Sequence, residues 1–261
     1  MKRHIPNSIT LCNLICGCIA ITYAFHSQLV PALLFIVLGA FFDFFDGFAA
    51  RKLGVTSPVG KELDSLADVV TFGLAPSAMV FVLLSSYIHL YAISSGITLA
   101  GNPIKFLNVA AFLIAAFSAL RLAHFNIDER QTSSFIGLPT PANALLLASV
   151  TITLGNQPEW LRAIGCGMPY SLAGIIVLCV LIAISCTLLV CNLPIFALKF
   201  KHFEWKGNRV RYIFLISAAV LLAIGAACSL TRLIAAVGVV IVWYIILSLF
   251  TAKKKENHEC S

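Results

Sequence analysis

The 261 residues are 60 % hydrophobic and only 11 % charged, with a mean hydropathy of +0.96 and a formal net charge of +7. A soluble domain carries about 25 % charged residues, so this composition excludes a soluble globular fold and points to lipid as the solvent. The positive charge does not read as nucleic-acid binding, which would need a basic soluble face that no segment supplies.

In chain order, eight apolar stretches approach or exceed the roughly 20 residues that cross a hydrocarbon core. They cover about 8–25, 29–50, 64–84, 106–125, 140–155, 170–192, 211–229 and 232–250, the fifth being short. No linker or low-complexity tract separates them. Residues 1–261 therefore read as one membrane domain, an all-α polytopic bundle of about eight transmembrane helices. No small-residue cleavage site follows the first stretch, which reads as a true span and not a signal peptide.

Lys and Arg placement sets the orientation. With the N-terminus in the cytosol, fifteen of the 18 fall inside and only Lys105, Arg162 and Arg232 outside. This predicts a multi-pass protein of the inner (cytoplasmic) membrane with both termini cytosolic. Most of the nine cysteines lie within spans, where they act as small apolar residues.

Four of the five aspartates fall within 26 residues. Asp43 and Asp46 stand near the cytosolic end of the second span, and Asp64 and Asp68 open the third. Asp43 follows an apolar run from Leu29 to Phe42. A charged residue at the centre of a membrane helix costs about 2.5–3.5 kcal/mol on insertion scales, and such residues are functional candidates by default. Asp43, Asp46, Gly47 and Ala50 share one helix face, and so do Gly60, Asp64 and Asp68. With a turn of roughly a dozen residues between them, the two helices are expected to pack antiparallel, acidic faces opposed, around a cup of four carboxylates.

Such a cup needs cations. Oxygen ligands select Mg²⁺, Mn²⁺ or Ca²⁺ over zinc, and glycines let a phosphate approach the backbone. Two ions about 3.5–4 Å apart can clamp the attacking and leaving oxygens of a phosphoryl transfer. The residues alone thus predict metal-assisted chemistry on a phosphate at the membrane surface.

The run from Asp43 to Asp68 matches D-x-x-D-G-x-x-A-R-x(8)-G-x-x-x-D-x-x-x-D at every fixed position. It resembles the signature of the CDP-alcohol phosphatidyltransferase family. The further stretches Ile5–Leu14, Val69–Pro76, Leu120–Asn126 and Phe135–Ala142 resemble the integral-membrane branch of that family that uses serine. His124 stands where that branch often has arginine. The resemblance covers residues 5–145.

The resemblance implies a six-helix catalytic core plus two further spans. It implies transfer of the phosphatidyl group of CDP-diacylglycerol to L-serine, with two ions of Mg²⁺ or Mn²⁺ as cofactor. Asp43, Asp46, Asp64 and Asp68 would hold the metal, and Asp68 would also be the general base. Asn7, Thr10, Gly47, Ala50, Arg51 and Gly60 would bind the nucleotide end of CDP-diacylglycerol. Asn13, one turn beyond Thr10, either lines that site or links helices by hydrogen bonds. Arg121 and Asn126 would grip the serine carboxylate or the lipid phosphate, with Thr71 shaping the acceptor pocket, and a homodimer is compatible. Two rivals stay open: glycerol 3-phosphate or an inositol phosphate as acceptor, and a cation-coupled transporter. A transporter calls for polar residues along several spans and often an internal repeat. Here the acids sit at one end, and no repeat is evident.

Overall fold

The computed structural model describes residues 4–55, 57–127, 134–156, 172–191, 193–196 and 205–259. Lys2, Arg3, Arg130, Arg162, Lys199 and Lys201, counted in the charge bias, lie outside the described residues. The helices are α1 (His4–Phe25), α2 (Leu29–Leu53), α3 (Pro58–Asp68), α4 (Ala75–Ser95), α5 (Leu113–Ile127), α6 (Thr140–Asn156), α7 (Leu172–Val190), α8 (Trp205–Cys228) and α9 (Leu230–Glu259). A π-helical turn, Val69–Leu74, fuses α3 to α4, and a 3-10 segment, Pro103–Phe112, leads into α5. Among the described residues, seven helical segments are long and apolar enough to cross a membrane. The chain is a multi-pass helical membrane protein, as its composition requires.

The α1–α2 hairpin turns at Ser27, whose φ of 60° is the one positive value at a described non-glycine residue. Gln28 N–H donates to the Tyr23 carbonyl at 2.9 Å, and the Tyr23 and Phe35 rings stack at 5.5 Å. Small buried residues (Ala20, Ala24, Ala32, Ala75, Ala148) let α1, α2, α4 and α6 approach closely around Ile36, Phe72 and Met79. Between helices in lipid such packing substitutes for the hydrophobic drive available in water.

Four features differ from the sequence expectation. The link between the acidic helices is short: Gly54, at φ 63°, caps α2 by donating its N–H to the Ala50 and Arg51 carbonyls, and Ser57 caps α3 by accepting from Gly60 N–H. The third span is a single run, Pro58–Ser95, because Pro58 serves as a first-turn residue and does not break it. Next, α2 and α3 do not pack along each other. Instead α1 packs on both, so the acidic helices diverge and leave a cleft.

Finally, a two-stranded antiparallel ladder joins β1 (Ser134–Ile136) to β2 (Pro194–Phe196), which the apolar pattern gave no reason to expect. Gly137 follows β1 at φ 74°, and a Cβ there would lie 2.7 Å from the Leu189 carbonyl. Glycine is therefore required where this connection docks on the end of α7.

Candidate active site

The site forms where α2 and α3 face each other across α1. One carboxylate oxygen from each of Asp43, Asp64 and Asp68 lies within 4.8 Å of the others. Asp46 is not one of this trio and stands beside it, lining the same cleft as Asp64. Thr10 Oγ1 on α1 donates to Asp46 Oδ2 at 2.6 Å, and Asp46 is only 6 % exposed. The expected cup of four is thus three converging carboxylates with a fourth held beside them by a hydroxyl.

Three carboxylates this close, one buried and two half-buried, repel one another until cations or protons neutralise them, and no Lys or Arg makes an ion pair with them among the described residues. Asp64 Oδ1 is buried and accepts no hydrogen bond. An oxygen-only donor set with an orphaned carboxylate oxygen fits a hard divalent cation.

Next to the trio opens a cleft of about 520 Å³. Asn7 and Thr10 from α1 line it, with Asp46, Gly47 and Ala50 from α2, and Gly60, Lys61 and Asp64 from α3. Five of the six residues assigned to the nucleotide end therefore meet in one cavity. Arg51 is exposed at its edge, its guanidinium 3.7 Å from where a Gly47 Cβ would stand. A Cβ on Gly60 would come within 3.2 Å of Asn7 Oδ1, so that glycine keeps the two walls close. Lys61, to which the sequence assigned no site role, lines the same cleft and donates from Nζ to the Asn126 carbonyl at 2.9 Å. Its signal was a cation at a variable position inside the signature, a trait it shares with Lys52.

The residues assigned to the acceptor do not line this cleft. Arg121 is 8 % exposed, its Nη1 reaches Thr140 Oγ1 at 3.5 Å, and its Nε has no partner. It therefore does not snorkel to the interface. Asn126 donates from Nδ2 to Ser65 Oγ at 2.8 Å and so ties the end of α5 to α3. Thr71 is fully buried in the π-helical turn, where its hydroxyl donates to the Asn13 carbonyl at 3.0 Å.

The profile of the CDP-alcohol phosphatidyltransferases matches residues 3–249. The chain belongs to that family. Among curated relatives of this phosphatidyltransferase, the CDP-diacylglycerol–serine O-phosphatidyltransferase of Bacillus subtilis is 38 % identical over 170 residues, 64 % of this chain and 85 % of that one. The proteins of the same name from Helicobacter pylori (strain J99) and Methanocaldococcus jannaschii are 35 % and 36 % identical over 159 and 143 residues. Those alignments cover 60 % and 55 % of this chain, and 60 % and 58 % of the respective relatives. The acidic trio thus lies within a phosphatidyltransferase, on residues of the signature, and Asn7 and Thr10 of α1 complete the wall of its cleft.

Proposed function

We propose that this protein transfers the phosphatidyl group of CDP-diacylglycerol to the hydroxyl of L-serine, giving phosphatidylserine and CMP. The observation that carries the reading is the convergence of Asp43, Asp64 and Asp68 beside a cleft walled by Asn7, Thr10, Gly47, Ala50 and Gly60. The choice of serine rests on the names of the relatives, the Bacillus subtilis protein above all.

Two divalent cations, Mg²⁺ or Mn²⁺, held by Asp43, Asp46, Asp64 and Asp68, would supply charge neutralisation for the pyrophosphate. Gly47, Ala50 and Gly60 leave room for the cytidine and ribose against Asn7 and Thr10, and Arg51 contacts phosphate at the edge. Asp68 takes the proton of the serine hydroxyl. The serine oxygen bonds to the β-phosphorus, the bridging phosphorus–oxygen bond breaks, and CMP leaves with that oxygen. Arg121, buried with Nε unpartnered, would meet the serine carboxylate. Positioning and charge neutralisation account for most of what phosphoryl transfer asks of a protein. The reading is completed by one domain over the whole chain and a homodimer in the cytoplasmic membrane. Both termini and the cleft would face the cytosol, in line with the Lys and Arg bias.

The test is CMP release by purified protein in detergent with CDP-diacylglycerol, Mn²⁺ or Mg²⁺, and serine, glycerol 3-phosphate or inositol phosphate as acceptor. Release with serine alone, abolished by EDTA, is expected. Release only with another acceptor keeps the chemistry and overturns the substrate. No metal-dependent release with any acceptor overturns the whole reading.

A further inference from the structure

The general base assigned above sits where helix α3 gives way to the π-helical turn, and one residue of α1 grips both sides of that junction. Asn13 is fully buried and belongs to none of the cleft walls. Its Nδ2 donates to Asp68 Oδ1 at 3.2 Å, and its backbone carbonyl accepts from Thr71 Oγ1 at 3.0 Å. Asp68 and Thr71 lie three residues apart, the first on the last turn of α3 and the second inside Val69–Leu74. π-turns are rare and concentrate at functional sites. Here the wider turn coincides with the place where an acidic side chain and a hydroxyl three residues on both reach a single residue of a neighbouring helix.

The surroundings show that this approach is built in. A Cβ on Gly17 would lie 2.5 Å from Thr71 Oγ1 and 2.9 Å from Thr71 Cα. A Cβ on Gly39 would lie 2.5 Å from Thr71 Cγ2 and 2.9 Å from Asn13 Oδ1. Two glycines on two different helices thus clear the space in which Thr71 seats against α1. The seating leaves Asn13 Oδ1 buried without a donor, a cost that a purely structural tie would not need to carry.

We infer that Asn13 and Thr71 are positioning residues for Asp68. Thr71 fixes the π-helical turn against the Asn13 backbone, and the Asn13 amide holds one carboxylate oxygen so that the other faces Asp43 and Asp64. This rests on the functional reading above and concerns the same site. Neither residue lines the cleft. Outer partners that orient a ligating or catalytic side chain typically contribute 10- to 100-fold to metal affinity or activity.

The test uses the full chain in detergent with Asn13→Ala, Thr71→Val and Thr71→Ser, each followed by CMP release, thermal unfolding and Mn²⁺ titration by electron paramagnetic resonance. Asn13→Ala and Thr71→Val should lower kcat about 10- to 100-fold while KM for both substrates stays within about twofold, the pattern of a lost transition-state interaction. Mn²⁺ affinity should weaken and the melting temperature should hold. Thr71→Ser, which keeps the donor, should restore kcat. Wild-type kcat in Asn13→Ala, or a kcat loss matched by a fall in melting temperature in both Asn13→Ala and Thr71→Val, overturns the inference. If the wild type shows no serine-dependent release, the functional reading fails separately. The Mn²⁺ titration still decides the positioning role: unchanged affinity in Asn13→Ala overturns it, and weakened affinity upholds it.

Discussion

Thr10 Oγ1 donates to Asp46 Oδ2 at 2.6 Å across α1 and α2, and the same hydroxyl donates at 3.1 Å to the Pro6 carbonyl one turn back. A single proton cannot serve two acceptors fully, so the short contact is the one that holds the carboxylate. Thr10→Val keeps the shape and removes the donor. It should leave Asp46 free to swing toward the other acids and cut kcat/KM about 10- to 100-fold. Thr10→Ser should stay near wild type. Both are read by CMP release at fixed Mn²⁺.

Asp43 and Asp64 converge with Asp68 from opposite helices, so neither can be replaced by the other. Asp43→Asn and Asp64→Asn should each reduce turnover by about two orders of magnitude or more, since an amide binds a hard cation weakly. Mn²⁺ titration should show weaker binding in both. EDTA should abolish turnover in the wild type, with recovery on adding Mg²⁺ or Mn²⁺.

Two glycines of the site region should respond in opposite ways. At Gly17 a methyl meets the Thr71 backbone, which cannot step aside, so Gly17→Ala should lower stability by about 1–3 kcal/mol. At Gly47 it meets only the Arg51 guanidinium at 3.7 and 3.9 Å. Gly47→Ala should melt as wild type but narrow the cleft, raising KM for CDP-diacylglycerol roughly tenfold. Thermal unfolding and initial-rate kinetics on the same preparations separate the two outcomes.

The orientation has its own check. Lys52 lies at the α2 end of the cleft and Lys105 in the 3-10 segment before α5, both exposed. In intact cells a membrane-impermeant maleimide should modify Lys105→Cys and spare Lys52→Cys until the cells are opened, with the unsubstituted chain as blank. The reverse pattern would place the cleft outside.

The acidic cluster was legible because a helix turns Asp43, Asp46 and Gly47 onto one side at fixed spacing, and because charge in an apolar run has few explanations. The eight apolar stretches were legible for the same solvation reason. The hydroxyl that holds Asp46 was not. It comes from Thr10, 36 residues away, because α1 packs on both α2 and α3. The π-helical turn was equally hidden, since Val69-Val70-Thr71-Phe72-Gly73-Leu74 would serve any helix type and only the contacts of Thr71 with Asn13, Gly17 and Gly39 single it out. The burial of Arg121 beside Thr140 comes from a neighbouring helix that no local pattern announces.

Helix α6 has 17 residues, fewer than the roughly 20 a bilayer asks for, and carries Thr140, Asn143, Ser149, Thr151 and Thr153. Its most extensive contact is with α9, where Ser149 Oγ lies 2.5 Å from the place a Gly238 Cβ would take. During synthesis α6 leaves the ribosome well before α9 exists, too short and too polar to partition into lipid unaided. Helices α2 and α4, made earlier, give it a first seat, and α9 supplies its largest contact only at the end of synthesis. The bundle is thus closed around its shortest span from the far end of the chain, and a chain truncated before α9 should melt earlier than the full chain.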